Sequence, residues 1–372
     1  MINGLNYHLA INLRGETMQV NVDKKTGLLL GIIAVLLVLL GAFLFRTPNS
    51  DMGSDNMGGS NSAMGSHGMG GSGNYDKNLS TKTPADRVPL SYIAKNGVKE
   101  FTLSAEAINW EFAKGKTLVA WGYNGQIPGP EIRVTEGDKV KIVFTNKLPK
   151  ATTVHWHGID VPNDQDGVPG VTQKAIKPGE TYTYEFTAKP AGTRFYHTHG
   201  GAAMVDEAEQ LDMGLSGAFI IEPKNYAVSK PDREYTLLLD EWDTNGMSNM
   251  MGGSKMGSMA AMAYNVFTLN GRAFPDTEPL KVKEGERVRI RMINGGTSTI
   301  HPMHLHGHQF KVVAVDGNPV PEAAQLTRNT QPIHPGETYD IEFIANNPGT
   351  WLFHCHELHH ADGGMIVPVV YE

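Results

Sequence analysis

Ten of the 15 histidines in this 372-residue chain fall in four short strings. They are His155-Trp156-His157, His197-Thr198-His199, His301-Pro302-Met303-His304-Leu305-His306, and His354-Cys355-His356 with His360. On a strand, residues i and i+2 point to the same face, so each His-x-His pair aims two imidazoles at one place. A single pair could be surface decoration or a minor metal site. Four pairs at equivalent positions of two repeats would bring eight imidazoles to one interface. That exceeds what one ion takes and suits three coppers with open positions for a small ligand. A structural zinc site takes four ligands and is closed.

The chain has one cysteine, Cys355, between His354 and His356. On an extended strand the thiol points away from the two flanking imidazoles, so a thiolate-bound metal would sit on one side and the histidine cluster on the other. His360 follows Cys355 by five residues and Met365 by ten, while His301 comes from the preceding string. Two His, one Cys and a weak axial Met form the blue-copper electron-transfer set. A lone cysteine excludes an intrachain disulfide framework and thiolate-rich zinc or iron–sulfur sites. The formal net charge of −7 makes nucleic acid a poor partner.

These residues need a scaffold, and the scaffold is repeated. Arg133-VTEGDKVKIVFTN matches Lys281-VKEGERVRIRMIN; Lys177-PGETYTYEF matches His334-PGETYDIEF; Pro190-AGTRFYHTH matches Pro348-GTWLFHCH. Short β-branched and aromatic runs bounded by Gly and Pro turns make both copies β. The expected fold is all-β, with two Greek-key β-sandwich domains over 88–224 and 225–372. His155/His157 align with His304/His306, and His197/His199 with His354/His356.

Upstream, Gly27–Phe45 runs for 19 residues without a charge. As a helix it would span roughly 28 Å, close to a bilayer core of about 30 Å. Arg14, Lys24 and Lys25 precede it, so the positive-inside bias puts 1–26 in the cytoplasm as a short N-terminus. The expectation is a signal anchor at 27–45, with the catalytic domains on the extracytoplasmic face of the cell membrane; a cleaved, secreted form is the competing reading. Residues 46–87 read as a flexible linker, rich in Gly, Ser and Met. Its Met52, Met57, Met64, Met69 and His67 are either incidental or a copper-collecting tail, since thioethers suit Cu(I).

From about residue 95 onward the chain resembles the multicopper oxidases, specifically the two-domain (small) laccase group with cupredoxin domains. The strings HWHG, HTH, HPMHLHG and HCHELHHADGGM match the family's four copper motifs in order. The resemblance implies four copper ions per active unit. It assigns His301, Cys355, His360 and Met365 to the type 1 (blue) copper and His155 with His304 to the type 2 copper. It gives one type 3 copper His157, His197 and His356, and the other His199, His306 and His354. The first domain, with Thr198 where a thiolate would stand, carries no blue copper of its own. The implied reaction is four one-electron oxidations coupled to reduction of O2 to water, with Cys355 as the electron port. Asp166, in the DQDGVPG loop, matches an acidic residue near the type 2 copper and is the candidate proton donor; its other reading is a turn-forming Asp before Gly. Ala361 stands where some relatives have a Glu, which leaves the second proton donor open.

The stretch 246–262 holds six methionines (247, 250, 251, 256, 259 and 262) interrupted by glycines, and resembles the Met-rich segments of copper-efflux oxidases. Cu(I) is therefore the expected reductant, with phenols as a broader class. Rival readings are a copper nitrite reductase, whose blue copper lies in the first domain, and a copper-sequestering protein without turnover. The resemblance further implies a homotrimer with the trinuclear cluster between neighbouring chains, since head-to-tail contacts close into rings.

Overall fold

The computed structural model describes residues 7–13, 16–22, 75–201, 206–244 and 264–372. The expected anchor at 27–45, the linker methionines and the Met-rich stretch 247–262 lie outside the described residues. Among the described residues no helix is long and apolar enough to cross a membrane.

The chain divides into two units, Met1–His67 and Gly68–Glu372. In the first, Tyr7–Leu13 and Glu16–Val22 pair antiparallel, from Tyr7 opposite Val22 to Leu13 opposite Glu16.

The second unit holds both repeats, each built from two sheets. In the first repeat Thr181–Thr187, Lys139–Asn146, Val98–Ala113 and Thr81–Lys82 lie side by side, with Ile93–Lys95 and Lys116–Tyr123 also paired to Val98–Ala113. The facing sheet runs Gly129–Thr135, Ser216–Glu222, Gly192–His197, His155–His157. Lys139–Asn146 shows why these segments are strands: Val140, Ile142 and Phe144 point to the core at every second position, while Lys139, Lys141, Val143 and Thr145 face the wetter side. The second repeat has the same order in its smaller sheet: Leu280–Val282, Ile366–Tyr371, Thr350–Cys355, Met303–Leu305, then Thr330–Gln331. Its larger sheet centres on Arg233–Trp242, Arg287–Asn294 and Thr338–Ile344.

Strand pairing is present within the expected linker 46–87, before residue 88. Thr81–Lys82 pairs with Asn109–Trp110, and the buried Asn109 amide donates to the main-chain oxygens of Asp76 and Leu79 at 2.7 and 3.1 Å. The signal was hidden because those bonds come from one side chain 30 residues away rather than from any local apolar pattern.

The two repeats join through a small apolar patch, with Phe195, Ala218 and Ile220 against Leu238 and Ile293. Beside it the Arg291 guanidinium binds both Asp340 and Glu234 at 2.8 Å, and Arg133 reaches Glu234 at 2.9 Å across the junction. Thr193 donates to Asp340 at 2.6 Å.

Candidate metal centres

The strand His155–His157 pairs antiparallel with Gly192–His197, placing His155 opposite His197. Met303–Leu305 pairs in the same way with Thr350–Cys355, placing His304 opposite His354 and Met303 opposite Cys355. Each short strand is ended by a glycine in the left-handed region, Gly158 (φ 76°) and Gly307 (φ 70°). A side chain at Gly307 would collide with the Trp351 ring at 2.6 Å, so the sharp exit after the histidines needs glycine there.

Main-chain carbonyls fix the rings. Nδ1 of His155 donates to Asp166 O at 2.7 Å, that of His197 to Thr198 O at 2.6 Å, that of His304 to Asn329 O at 2.7 Å and that of His354 to Cys355 O at 2.8 Å. With Nδ1 carrying the proton, Nε2 of each ring presents a lone pair. His157 is turned the other way: its Nδ1 faces His197 Nε2 at 3.3 Å. Two nitrogens sharing a metal at bonds of about 2.0 Å in a tetrahedral arrangement are roughly 3.3 Å apart.

Ligand atoms of His155, His157 and His197 lie within 4.8 Å of one another, as do those of His304, His306 and His354. His199 joins the first group through its ring, 5.6 Å from that of His155, and His356 joins the second at 5.5 Å from His304. Burial, followed by the charges of His155 and Arg194, pushes His157 down to about 4, and burial holds His197 well below its ordinary value. His306 and His354 are lowered by burial too. Neutral imidazole is the form that binds a metal. Among the described residues no ring contact, hydrogen bond or shared ligand group joins the two quartets. A cavity of about 430 Å³ opens in front of the first quartet, walled by Glu207 and by Gly295–Thr297 of the second repeat.

On the opposite face of strand Thr350–Cys355 the Cys355 thiol is fully buried. Its Sγ lies 3.8 Å from His301 Nδ1 and 3.6 Å from His360 Nδ1. A nitrogen and a sulfur at about 2.0 and 2.3 Å from one ion, 120° apart, are separated by roughly 3.7 Å, so the donor set fits a metal with these three ligands. Met365 is buried in the same core, and its carbonyl accepts the Cys355 N–H at 3.1 Å. Burial pushes the thiol up to about 12, so without a metal to displace its proton it stays protonated. Phe267 stacks on His360 with ring centres 4.0 Å apart.

The first repeat shows what fills this pocket when no metal is meant to enter. The main-chain bond Cys355 N–Met365 O has its counterpart in Thr198 N–Leu215 O, and the His301–Ile333 pair has one in Thr152–Ile176. At the equivalent positions stand Thr152 and Thr198, whose hydroxyls lie 3.0 Å apart, and Gln210, which accepts from Thr198 at 2.8 Å. Two hydroxyls and an amide, hydrogen-bonded to one another, replace thiolate and imidazole.

Asp166 lies beside His155: besides its carbonyl bond, its Oδ1 is 3.4 Å from His155 Nδ1. Three carboxylates escaped the sequence reading. Glu207 Oε2 is 3.2 Å from His199 Nδ1, Glu357 Oε2 is 3.2 Å from His360 Nε2, and Glu241 Oε2 is 3.3 Å from His301 Nε2. The available hint for Glu241 was an acidic run, DEWD, closing the apolar strand Arg233–Trp242.

Two fused sandwiches of this kind, one with a His–Cys–His–Met core and both presenting imidazole quartets, define a copper-dependent oxidoreductase. Residues 104–226 and 246–372 each match a multicopper oxidase family model. A blue copper oxidase from Nitrosomonas europaea is similar over 73% of this chain and 85% of its own, at 35% identity and TM-score 0.67. A multicopper oxidase of Staphylococcus aureus is 28% identical over 73% of this chain and 88% of its length. A probable nitrite reductase–hydroxylamine oxidoreductase fusion protein of Kuenenia stuttgartiensis is 32% identical over 73% of this chain, which spans only 31% of that protein. The chain belongs to the multicopper oxidase family. As a laccase-like member it uses type 1, type 2 and type 3 coppers, four in all, and O2 as electron acceptor.

Proposed function

We propose that this chain oxidises cuprous ions and phenols one electron at a time at a type 1 centre made by His301, Cys355, His360 and Met365, and passes the electrons to O2. The observation that carries the reading is the single strand Thr350–Cys355, with a thiol in the apolar core on one face and His354 in an imidazole quartet on the other. The coppers supply one-electron redox chemistry and a place for O2. With copper held by these residues, the His360 edge, 12% exposed against 0% for His301, would be the side open to a reductant, and the Cys355–His354 peptide would connect this centre to the imidazole quartet. Asp166, with Oδ1 at 3.4 Å from His155 Nδ1, is placed to relay protons for water formation. His155 and His304 are the type 2 ligands; His157, His197 and His356 serve one type 3 copper, and His199, His306 and His354 the other.

The separation of the two quartets within the chain favours a homotrimer in which the first domain of one copy meets the second domain of the next. An ectodomain that keeps full turnover while scattering light as a monomer would refute this. The apolar stretch 27–45 favours anchoring of the three chains at the cell membrane with the oxidase outside; a cleaved form would lack that stretch in the mature N-terminal sequence.

Cu(I) is favoured as a substrate by the roots of the Met-rich stretch. Thr244 and Asn265, which flank it, bond to each other at 2.8 and 2.9 Å. The strands leading away carry Glu241 against His301 and Phe267 against His360. Nitrite reduction is disfavoured because Thr198 occupies the thiolate position of the first repeat and all eight cluster histidines are present. Mere copper storage would leave the Cys355 centre without a purpose. O2 uptake with Cu(I) and with a phenol, measured before and after deleting 247–262, tests the substrate reading. A selective loss of Cu(I) turnover supports it. Unchanged Cu(I) turnover at full copper content rejects it.

A further inference from the structure

The Glu241 side chain is wholly shielded from solvent, yet among the described residues no lysine or arginine pairs with it. Its Oε1 instead accepts the main-chain N–H groups of Thr297, Ser298 and Thr299 at 3.0, 3.1 and 3.3 Å. Three converging amides make a small anion nest. The loop can wrap that closely because residue 296 is glycine: a Cβ there would meet Glu241 Oε2 at 1.9 Å. The free oxygen, Oε2, is 3.3 Å from His301 Nε2, and the other nitrogen of that ring faces Cys355 Sγ at 3.8 Å. Thr299 Oγ1 lies 3.1 Å from the same Nε2. Carboxylate, imidazole and thiol are thus in line.

The companion ligand has a different environment. His360 meets Glu357, whose side chain is 39% exposed and also caps the helix Leu358–Asp362 through the His360 N–H at 2.9 Å. Water screens that charge. The Glu241 side chain, at 0% exposure, has no such contact with water.

We propose that Glu241 is a positioning residue of the type 1 centre: it locks His301 with Nδ1 toward Cys355, and its fixed charge favours the oxidised metal, which lowers the reduction potential and restricts the site to strong reductants. This rests on the assignment of His301 and Cys355 as copper ligands. A carboxylate on the far nitrogen of a ligating imidazole raises its donor strength, and an unscreened negative charge in a dry interior acts over several ångströms.

The test is a redox titration of the copper-loaded full chain, wild type against Glu241→Gln and Glu241→Asp, monitoring the thiolate-to-copper absorption. Glu241→Gln keeps the volume and the acceptor for the nest but turns a second N–H donor toward His301 and removes the charge. The equilibrium constant for reduction of the centre should rise at least tenfold, which is 59 mV for one electron, with copper content unchanged. Glu241→Asp keeps the charge but withdraws it from Nε2, and should give a smaller shift of the same sign. If Glu241→Gln does not fold, the Asp variant alone decides. Full copper with an intact absorption band and an unshifted potential overturns the proposal. Absence of the band in the wild type would overturn the ligand assignment instead.

Discussion

Nδ1 of His354 donates to the main-chain oxygen of Cys355 at 2.8 Å, so the buried thiol and a buried imidazole of the neighbouring quartet are linked by one peptide and one hydrogen bond. Replacing Cys355 by Ser should therefore separate two functions. One of the four coppers and the intense thiolate absorption should be lost, while the remaining coppers stay and turnover falls to background. Metal analysis with visible spectroscopy checks this; retention of the absorption would contradict the assignment.

Asp166 holds His155 twice, by its carbonyl at 2.7 Å and its carboxylate at 3.4 Å, and only the second contact can carry a proton. Asp166→Asn should keep the ring in place and the copper bound while O2 reduction slows by about 10²-fold, the usual size of a lost general acid. Single-turnover reoxidation of the reduced protein by O2 measures that step.

Much of this site is legible in the amino-acid sequence. His-x-His pairs on strands, a lone Cys between two of them and a repeat that doubles the pattern are local signals, and the structure places His155, His157 and His197 together, as it does His301, Cys355 and His360. Glu207, Glu241 and Glu357 were not legible in the same way. Glu241 is 60 residues from the histidine it touches, and an acidic residue near a strand end reads as solvated until the anion nest is seen. Residues 76–87 were assigned to the linker for a similar reason, since Asn109 holds them from a distance.

Asp212 gives a dependence on pH. Its carboxyl is pushed up to about 6, chiefly by burial, against the hydrogen bonds from Thr297 and Tyr264. A folded value above the unfolded one means the native state holds a proton the unfolded chain has lost. That stabilisation is full below about pH 4 and is gone as pH rises through 6. Asp212→Asn keeps the acceptor for Tyr264 and Thr297 without the buried charge. At pH 7.5 it should be more stable than wild type by up to about 3 kcal/mol, and the gap should close below pH 4. Urea midpoints at the two pH values check it, and an equal gap at both would contradict the burial argument.

The junction between repeats offers a purely structural test. Asp340 accepts from Thr193 at 2.6 Å and pairs with the buried Arg291 at 2.8 Å. Asp340→Ala leaves that guanidinium with Glu234 as its one carboxylate partner, beside the hydroxyls of Thr193 and Tyr226, and should cost about 3 kcal/mol. Asp340→Asn, which keeps an acceptor for Thr193, should cost less. Denaturant unfolding of the copper-free variants ranks them.

The stoichiometry of O2 consumption tests the central claim most directly. With the copper-loaded protein and a known amount of Cu(I) or phenol in excess O2, one O2 should disappear for every four electrons donated, without accumulation of peroxide. Substrate oxidation without O2 uptake, or one O2 for every two electrons with peroxide released, would contradict a chain whose Cys355 centre feeds the imidazole clusters for the full reduction of O2 to water.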